Sequence, residues 1–229
     1  MAIPKQCGLA PLTQNVEGLR SHALLASIFM PEPEISSDAR KWRSWLIRCL
    51  VKTARHYNDA RNLVLEQISE RERPASAIAT GRALPILDFA LSMEDCITSL
   101  DKAVVCIHAL EKKGHMSGGR VLALERETSD LKSFRNQQEH MHINIAAGQT
   151  GDGPIYVMVS DNGDVMKFRD LKMSFAALYR LIDAAYLDIA GLFPGHDVNS
   201  TPNGAGVPKI SMTLTMEEVS PGHPPKQIL

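Results

Sequence analysis

The stretch "DARKWRSWLIRCLVKTARHYNDARNLVLEQISERER", residues 38–73, decides the fold of this chain. Its apolar side chains recur at the three- and four-residue spacing of one helix face over roughly eight turns. The prolines of the preceding "MPEPEISS" cannot continue a helix, and Ser36 or Ser37 is a favourable N-cap with Asp38 in the first turn. Pro74 ends the pattern. This stretch therefore predicts one long amphipathic helix.

Three further helices are predicted around it. The first of these begins near Pro85 and ends at Gly114, and the next covers about 120–146. The last covers 170–193, with Asp170 as its cap. Between the last two, "PIYVMVSDNGDVMKF" (154–168) predicts a β-hairpin, because Asn-Gly between two β-type runs favours a type I′ turn. The predicted fold is all-α, a four-helix up-down bundle with a small β-hairpin inserted before the last helix. The expected organisation is an N-terminal extension (1–36), the helical bundle (37–193) and a flexible C-terminal tail (194–229).

Composition excludes several classes of function. The chain has 229 residues and a net charge of −1, so no overall field draws it to nucleic acid or membrane, and any anion-binding surface must be local. Its four cysteines have neither CxxC pairing nor metal-type spacing, which favours a reduced, cytoplasmic protein. The apolar run "HALLASIFM" (22–30) is too short to span a bilayer, so no membrane association is expected.

The stretch "SFRNQQEHMHI", residues 133–143, gathers the residue types that could handle phosphate. On a helix, Asn136 and His140 share a face, and Arg135 starts about 140 degrees round from His140, within reach of a long side chain. Arginine offers a permanently charged fork for phosphate, and histidine exchanges a proton near neutral pH. These are the groups needed to cleave RNA without a metal, by activating a ribose 2′-hydroxyl and stabilising charge on phosphorus.

The segment "RNQQEH" (135–140) resembles the Arg-Asn-x-x-x-His signature of the HEPN family, helical-bundle proteins of which many are metal-independent endoribonucleases. The resemblance covers roughly residues 38–193. It implies that Arg135 and His140 are the catalytic pair, that Asn136 supports them, and that two copies form a homodimer around one cleft. It also implies 2′,3′-cyclic phosphate and 5′-hydroxyl products. The expected role is that of a toxin or phage-defence effector, with no cofactor and with an antitoxin or regulatory protein as a further partner.

Two alternatives remain open for these residues. In the first, the motif is a solvent-facing helix surface on which Glu139 pairs with Arg135. In the second, the chain is a non-catalytic bundle of the same type that binds a protein partner or a nucleotide. No metal site is expected, because His140 and His142 point about 200 degrees apart on a helix. The first helix carries a net charge of +4 and a strip of cations that could follow an RNA backbone or be an ordinary solvated face. The strip consists of Arg48, Lys52 and Arg55.

Overall fold

The structure is a computed structural model that describes residues 3–29, 36–74, 81, 84–116, 118–150 and 154–200. The described part is mostly helical and carries a small three-stranded antiparallel sheet, which confirms the helical class predicted from the sequence. In chain order its elements are α1 (Val16–Phe29), α2 (Ser37–Glu72), α3 (Ile86–Lys112), a 3-10 turn (Arg120–Ala123), α4 (Glu125–Glu139), α5 (Met141–Ala146), β1 (Met158–Val159), β2 (Val165–Phe168), β3 (Leu171–Ser174) and α6 (Phe175–Ala190).

The long helix α2 begins where its sequence signals place it. The Ser36 side chain accepts a hydrogen bond from the Ala39 N–H at 3.2 Å, which satisfies one of the free donors of the first turn. The predicted start is therefore confirmed. α2 packs along α3, and the two helices are antiparallel. His56 Nε2 lies 4.0 Å from Asp95 Oδ2, whereas Cys49, earlier in α2, lies close to Cys106, later in α3.

The α2–α3 pair forms the centre of the core. The apolar positions of the two helices that face each other, among them Leu46, Leu50, Ile97 and Leu100, are completely buried. Each such side chain stabilises the fold by about 1.5–3 kcal/mol relative to an exposed one. All four cysteines are free thiols. Burial, with a smaller contribution from Cys49, raises the pKa of Cys106 to about 11, as expected for an unreactive core thiol.

The helix predicted for about 120–146 is divided in the structure. The 3-10 turn is separated from α4 at Leu124, and α4 is separated from α5 at His140. The continuous helix was therefore a wrong prediction. Its second break has a simple cause. α4 buries Leu131 and Phe134 against the core, whereas α5 has no fully buried residue and contacts the core through the partly buried Met141, so tertiary packing holds α5 less firmly than α4.

The predicted hairpin is present, with β1 and β2 paired antiparallel, but its turn is wider than predicted. Among the loop residues 161–164, Gly163 alone has a positive φ, of 81°, and a type I′ turn requires two such residues in succession. The N-terminal segment is hydrogen-bonded to this wider loop. The Lys5 N–H donates to the Asp161 carbonyl at 2.9 Å, and the Gly8 N–H donates to the Gly163 carbonyl at 2.8 Å.

The last helix begins later than predicted. Residues 171–174 form β3, which pairs with β2, and Met173 is buried in the alternating pattern of a strand. The cap of α6 is Ser174, whose side chain accepts from the Ala177 N–H at 3.1 Å, and not Asp170. The prediction missed β3 because Leu171, its first residue, stands four positions before Phe175, the first residue of α6, and so satisfies the helical spacing of α6.

The described part of the N-terminal 36 residues packs on the bundle. Leu9, Val16 and Leu19 lie in the core, and the Tyr57 hydroxyl donates to the Ala10 carbonyl at 3.0 Å. In addition, Arg61 Nε donates to the Leu9 carbonyl at 3.1 Å. The division of the chain at residues 36 and 193 remains a prediction, and residues 201–229 of the expected C-terminal tail lie outside the described residues.

Replacing Gly163 by alanine is expected to lower the free energy of unfolding by about 2–5 kcal/mol. A left-handed backbone costs a non-glycine residue about 1–2 kcal/mol, and overpacking costs a further 1–3 kcal/mol. The new methyl group would collide with the Gln6 carbonyl oxygen, which the N-terminal segment holds over the loop. Urea unfolding monitored by circular dichroism measures the loss.

Gly148→Ala is the matched control for this substitution. Gly148 also has a positive φ, of 66°, but an added methyl group there would meet nothing within 4 Å. We expect it to lose only the conformational cost, about 1–2 kcal/mol. Equal losses in the two variants would contradict the close approach of the N-terminal segment to the hairpin.

Candidate functional site

The RNQQEH motif (135–140) lies at the C-terminal end of α4, where the helix presents polar side chains beside a buried apolar face. Leu131 and Phe134 face the core, and the Phe134 ring packs 6.5 Å from that of Phe168 in β2. Arg135 and Asn136 are half-buried, and Glu139 and His140 are exposed. The apolar residues thus anchor the helix, and the polar residues remain accessible at the helix end.

Arg135 is held in place by three side chains. Its Nε lies 2.9 Å from Glu139 Oε1 and 3.6 Å from Asp101 Oδ2, and its Nη1 donates to Asn136 Oδ1 at 3.1 Å. Within the described part of the chain its Nη2 has no partner. An arginine whose guanidinium is held through Nε and Nη1, with Nη2 open, is oriented in advance to bind an anion.

Asp101 is the member of this cluster that sequence reasoning missed. It belongs to α3, and its side chain is only 10% exposed. Burial raises the pKa of the Asp101 carboxyl, the Arg135 guanidinium opposes that rise, and Glu139 adds to it. No local pattern indicated this residue, because it reaches Arg135 only through the packing of α3 on α4.

His140 occupies the break between α4 and α5. Its backbone N–H still donates to the Asn136 carbonyl at 3.0 Å, so the helical spacing of the motif extends to this residue. Its imidazole is exposed, and neither ring nitrogen has a hydrogen-bond partner among the residues described. The ring is therefore accessible to a bound molecule.

The structure joins part of the predicted site and leaves part of it separate. It brings Arg135 and Asn136 into contact. It directs the Arg135 guanidinium towards Glu139 and Asp101, and no contact with the His140 ring is present in the described structure. His142 is exposed on the first turn of α5.

The basic strip of α2 lies on the surface. Arg48, Lys52 and Arg55 are all exposed, and the Arg48 guanidinium lies 5.6 Å from the centre of the Trp45 ring. The strip and the motif belong to different helices, α2 and α4, and α3 packs against both.

Lys102 is exposed on α3, next to Asp101 in the chain. Burial raises the pKa of the Cys49 thiol and of the Asp101 carboxyl, and the positive charge of Lys102 opposes the rise in both groups.

No metal centre is apparent in the part of the chain that is described, where no group of three or more His, Cys, Asp or Glu side chains is placed to hold an ion. None of the described helices combines the length and the apolar character needed to cross a bilayer. Comparisons of the chain with protein-family models, with curated proteins and with solved structures found no match.

Proposed function

We propose that this chain is a metal-independent endoribonuclease of HEPN type whose active site contains Arg135, Asn136 and His140. The observation that supports the proposal is the orientation of Arg135 and the exposure of His140 at the C-terminal end of α4. Arg135 is oriented by Asn136, Glu139 and Asp101 with Nη2 open, and the His140 ring is exposed without a partner in the described structure. Both groups are available to a phosphodiester.

The proposed reaction is a transesterification. The His140 imidazole removes the proton of a ribose 2′-hydroxyl, and the 2′-oxygen attacks the adjacent phosphorus while the bond to the 5′-oxygen breaks. The Arg135 guanidinium stabilises the additional charge on the phosphoryl oxygens. A general acid protonates the leaving 5′-oxygen, which leaves a 2′,3′-cyclic phosphate and a 5′-hydroxyl. In a homodimer the second His140 supplies this acid.

The proposed path of the RNA follows the positive side chains outside the motif. Arg48, Lys52 and Arg55 are exposed on α2, and Lys102 is exposed on α3 next to Asp101 in the chain. Such a row neutralises successive phosphates of a backbone without reading its bases. The biological role that fits this activity is that of a toxin or phage-defence effector controlled by an antitoxin or regulatory protein.

A second candidate function is that of a non-catalytic helical bundle that binds a protein partner or a nucleotide. The charge of Arg135 supports it, because two carboxylates, Asp101 and Glu139, already lie within 3.6 Å of the guanidinium. In this case the Arg135 cluster joins α3 to α4 and has no chemical role. A buried or half-buried ion pair of this kind serves structure as often as catalysis.

The experiment that tests the nuclease uses the purified full chain, mixed-sequence RNA and excess EDTA. We expect cleavage to products that end in a 2′,3′-cyclic phosphate and a 5′-hydroxyl. The matched substrate is the same RNA with every 2′-hydroxyl methylated, which retains the phosphates but lacks the nucleophile and must remain intact. Cleavage of both substrates would overturn the transesterification through the 2′-hydroxyl. Cleavage of neither at high protein concentration would overturn the nuclease and favour the second candidate.

A further inference from the structure

Trp45 is an exposed tryptophan on the surface of α2. It is 42% exposed, whereas Trp42, one turn earlier on the same helix, is half-buried and packs against the core. Tryptophan is on average a deeply buried residue type, and an accessible indole is typical of binding surfaces. Packing of the fold therefore explains the position of Trp42, but it does not explain the exposure of Trp45.

Trp45 lies on the same face of α2 as the basic strip. At about 100 degrees per residue, Arg48, Lys52 and Arg55 follow it within an arc of about 80 degrees. The four residues span ten positions, roughly 15 Å of helix, and all four are exposed. We call this face, formed by Trp45, Arg48, Lys52 and Arg55, the Trp45 surface. It begins with an aromatic ring and continues with three positive charges.

The charges of the Trp45 surface are not neutralised by the side chains that the structure describes. Neither Lys52 nor Arg55 has an ion pair or a hydrogen bond within that part of the chain. Asp59, one turn after Arg55, lies instead 4.0 Å from His56 (Oδ2 to Nδ1). The surface therefore presents local positive charge in a chain whose net charge is −1.

Arg48 contacts the Trp45 ring and leaves part of it accessible. Its guanidinium lies 5.6 Å from the ring centre, a distance typical of a cation–π contact. A guanidinium covers only one face of an indole, and the exposure of Trp45 shows that part of the side chain remains open. An aromatic ring beside an arginine is the combination on which unpaired bases stack in proteins that bind single strands.

The chemistry of this surface suits a single-stranded nucleic acid better than a protein or a duplex. The charges follow a phosphate backbone, and the indole offers a face to one base. A helical protein partner would require an apolar stripe, whereas the positions that follow Trp45 on this face are charged. In a duplex the bases are stacked on each other, so their faces are not available to Trp45.

We propose that the Trp45 surface binds single-stranded RNA, with one base stacked on Trp45 and phosphates along Lys52 and Arg55. The choice of RNA as the ligand rests on the proposed function, which this inference deepens by specifying an unpaired substrate. Recognition is tolerant of sequence, because every base has a face that can stack.

The test is binding of the full chain to a labelled single-stranded 2′-O-methyl RNA of about twelve nucleotides, measured by fluorescence anisotropy. This probe lacks the 2′-hydroxyl, so the proposed cleavage cannot occur during the measurement. The matched ligand is an abasic oligomer of equal length, which keeps the phosphates and lacks the bases. We expect the unmodified chain to bind the base-containing oligomer about 5- to 150-fold more tightly than the abasic one.

Two variants separate stacking from charge. Trp45→Ala should lose the preference for the base-containing oligomer and leave the salt dependence of binding unchanged, and Trp45→Phe should keep most of the preference. Lys52→Gln should weaken binding of both oligomers alike and reduce the slope of log K against log salt concentration by about 0.7, the contribution of one phosphate contact on a single strand.

Leu65→Ala is the control, because Leu65 is an exposed apolar residue of the same helix, twenty residues or roughly 30 Å from Trp45. It should bind as the unmodified chain does, and thermal unfolding shows whether each variant keeps its fold. Equal binding of the two oligomers, equal weakening of both by Trp45→Ala, or tighter binding of the annealed duplex would each overturn the proposal. Binding as expected without cleavage of unmethylated RNA would overturn the nuclease and support this inference.

Discussion

Replacing His140 by alanine is expected to lower the rate of RNA cleavage by about 10²–10⁴-fold, the usual contribution of a general acid–base group. The substitution removes the imidazole that is free to take the 2′-hydroxyl proton, and it leaves the backbone hydrogen bond to Asn136 in place. The fold should be retained because the side chain is exposed. The measurement is a single-turnover cleavage assay with a fluorescent RNA in EDTA.

His142→Ala is the matched control for this variant. His142 is exposed two residues further along, on the first turn of α5, and it is not part of the motif. It should cleave at the rate of the unmodified chain. If the two alanine variants lost activity equally, or if neither did, His140 would have no specific role in the reaction.

Arg135→Lys is expected to reduce the cleavage rate by about 10²–10³-fold, similar to the loss of one preorganised donor to a charged transition state. Lysine retains the positive charge but lacks the planar fork that reaches Asn136 and Glu139 on one edge and a phosphate on the other. The free energy of unfolding should change by only about 1 kcal/mol, because Arg135 is half-exposed and its pairs are partly screened. Single-turnover cleavage and urea unfolding measure the two effects.

The same substitution at Arg126 provides the control. Arg126 is exposed in the first turn of α4, nine residues or roughly 13 Å from Arg135 along the helix. We expect Arg126→Lys to leave the cleavage rate unchanged. An Arg135→Lys variant that lost several kcal/mol of stability while cleaving RNA normally would identify the Arg135 cluster as a structural link between α3 and α4.

Sequence alone determined the features that depend on neighbouring residues. The start of α2 after Ser36, the span of α3 between Pro85 and Gly114 and the position of the hairpin around Gly163 follow from caps, prolines and turn residues. These signals act over a few positions, through hydrogen bonds and backbone preferences that each segment carries with it. The motif residues could be located for the same reason.

Tertiary structure alone decided the features that depend on segments far apart in the chain. β3 forms because β2 offers it backbone partners, and Asp101 meets Arg135 because α3 lies against α4. A local pattern cannot encode such contacts, because their free energy exists only once the elements have packed.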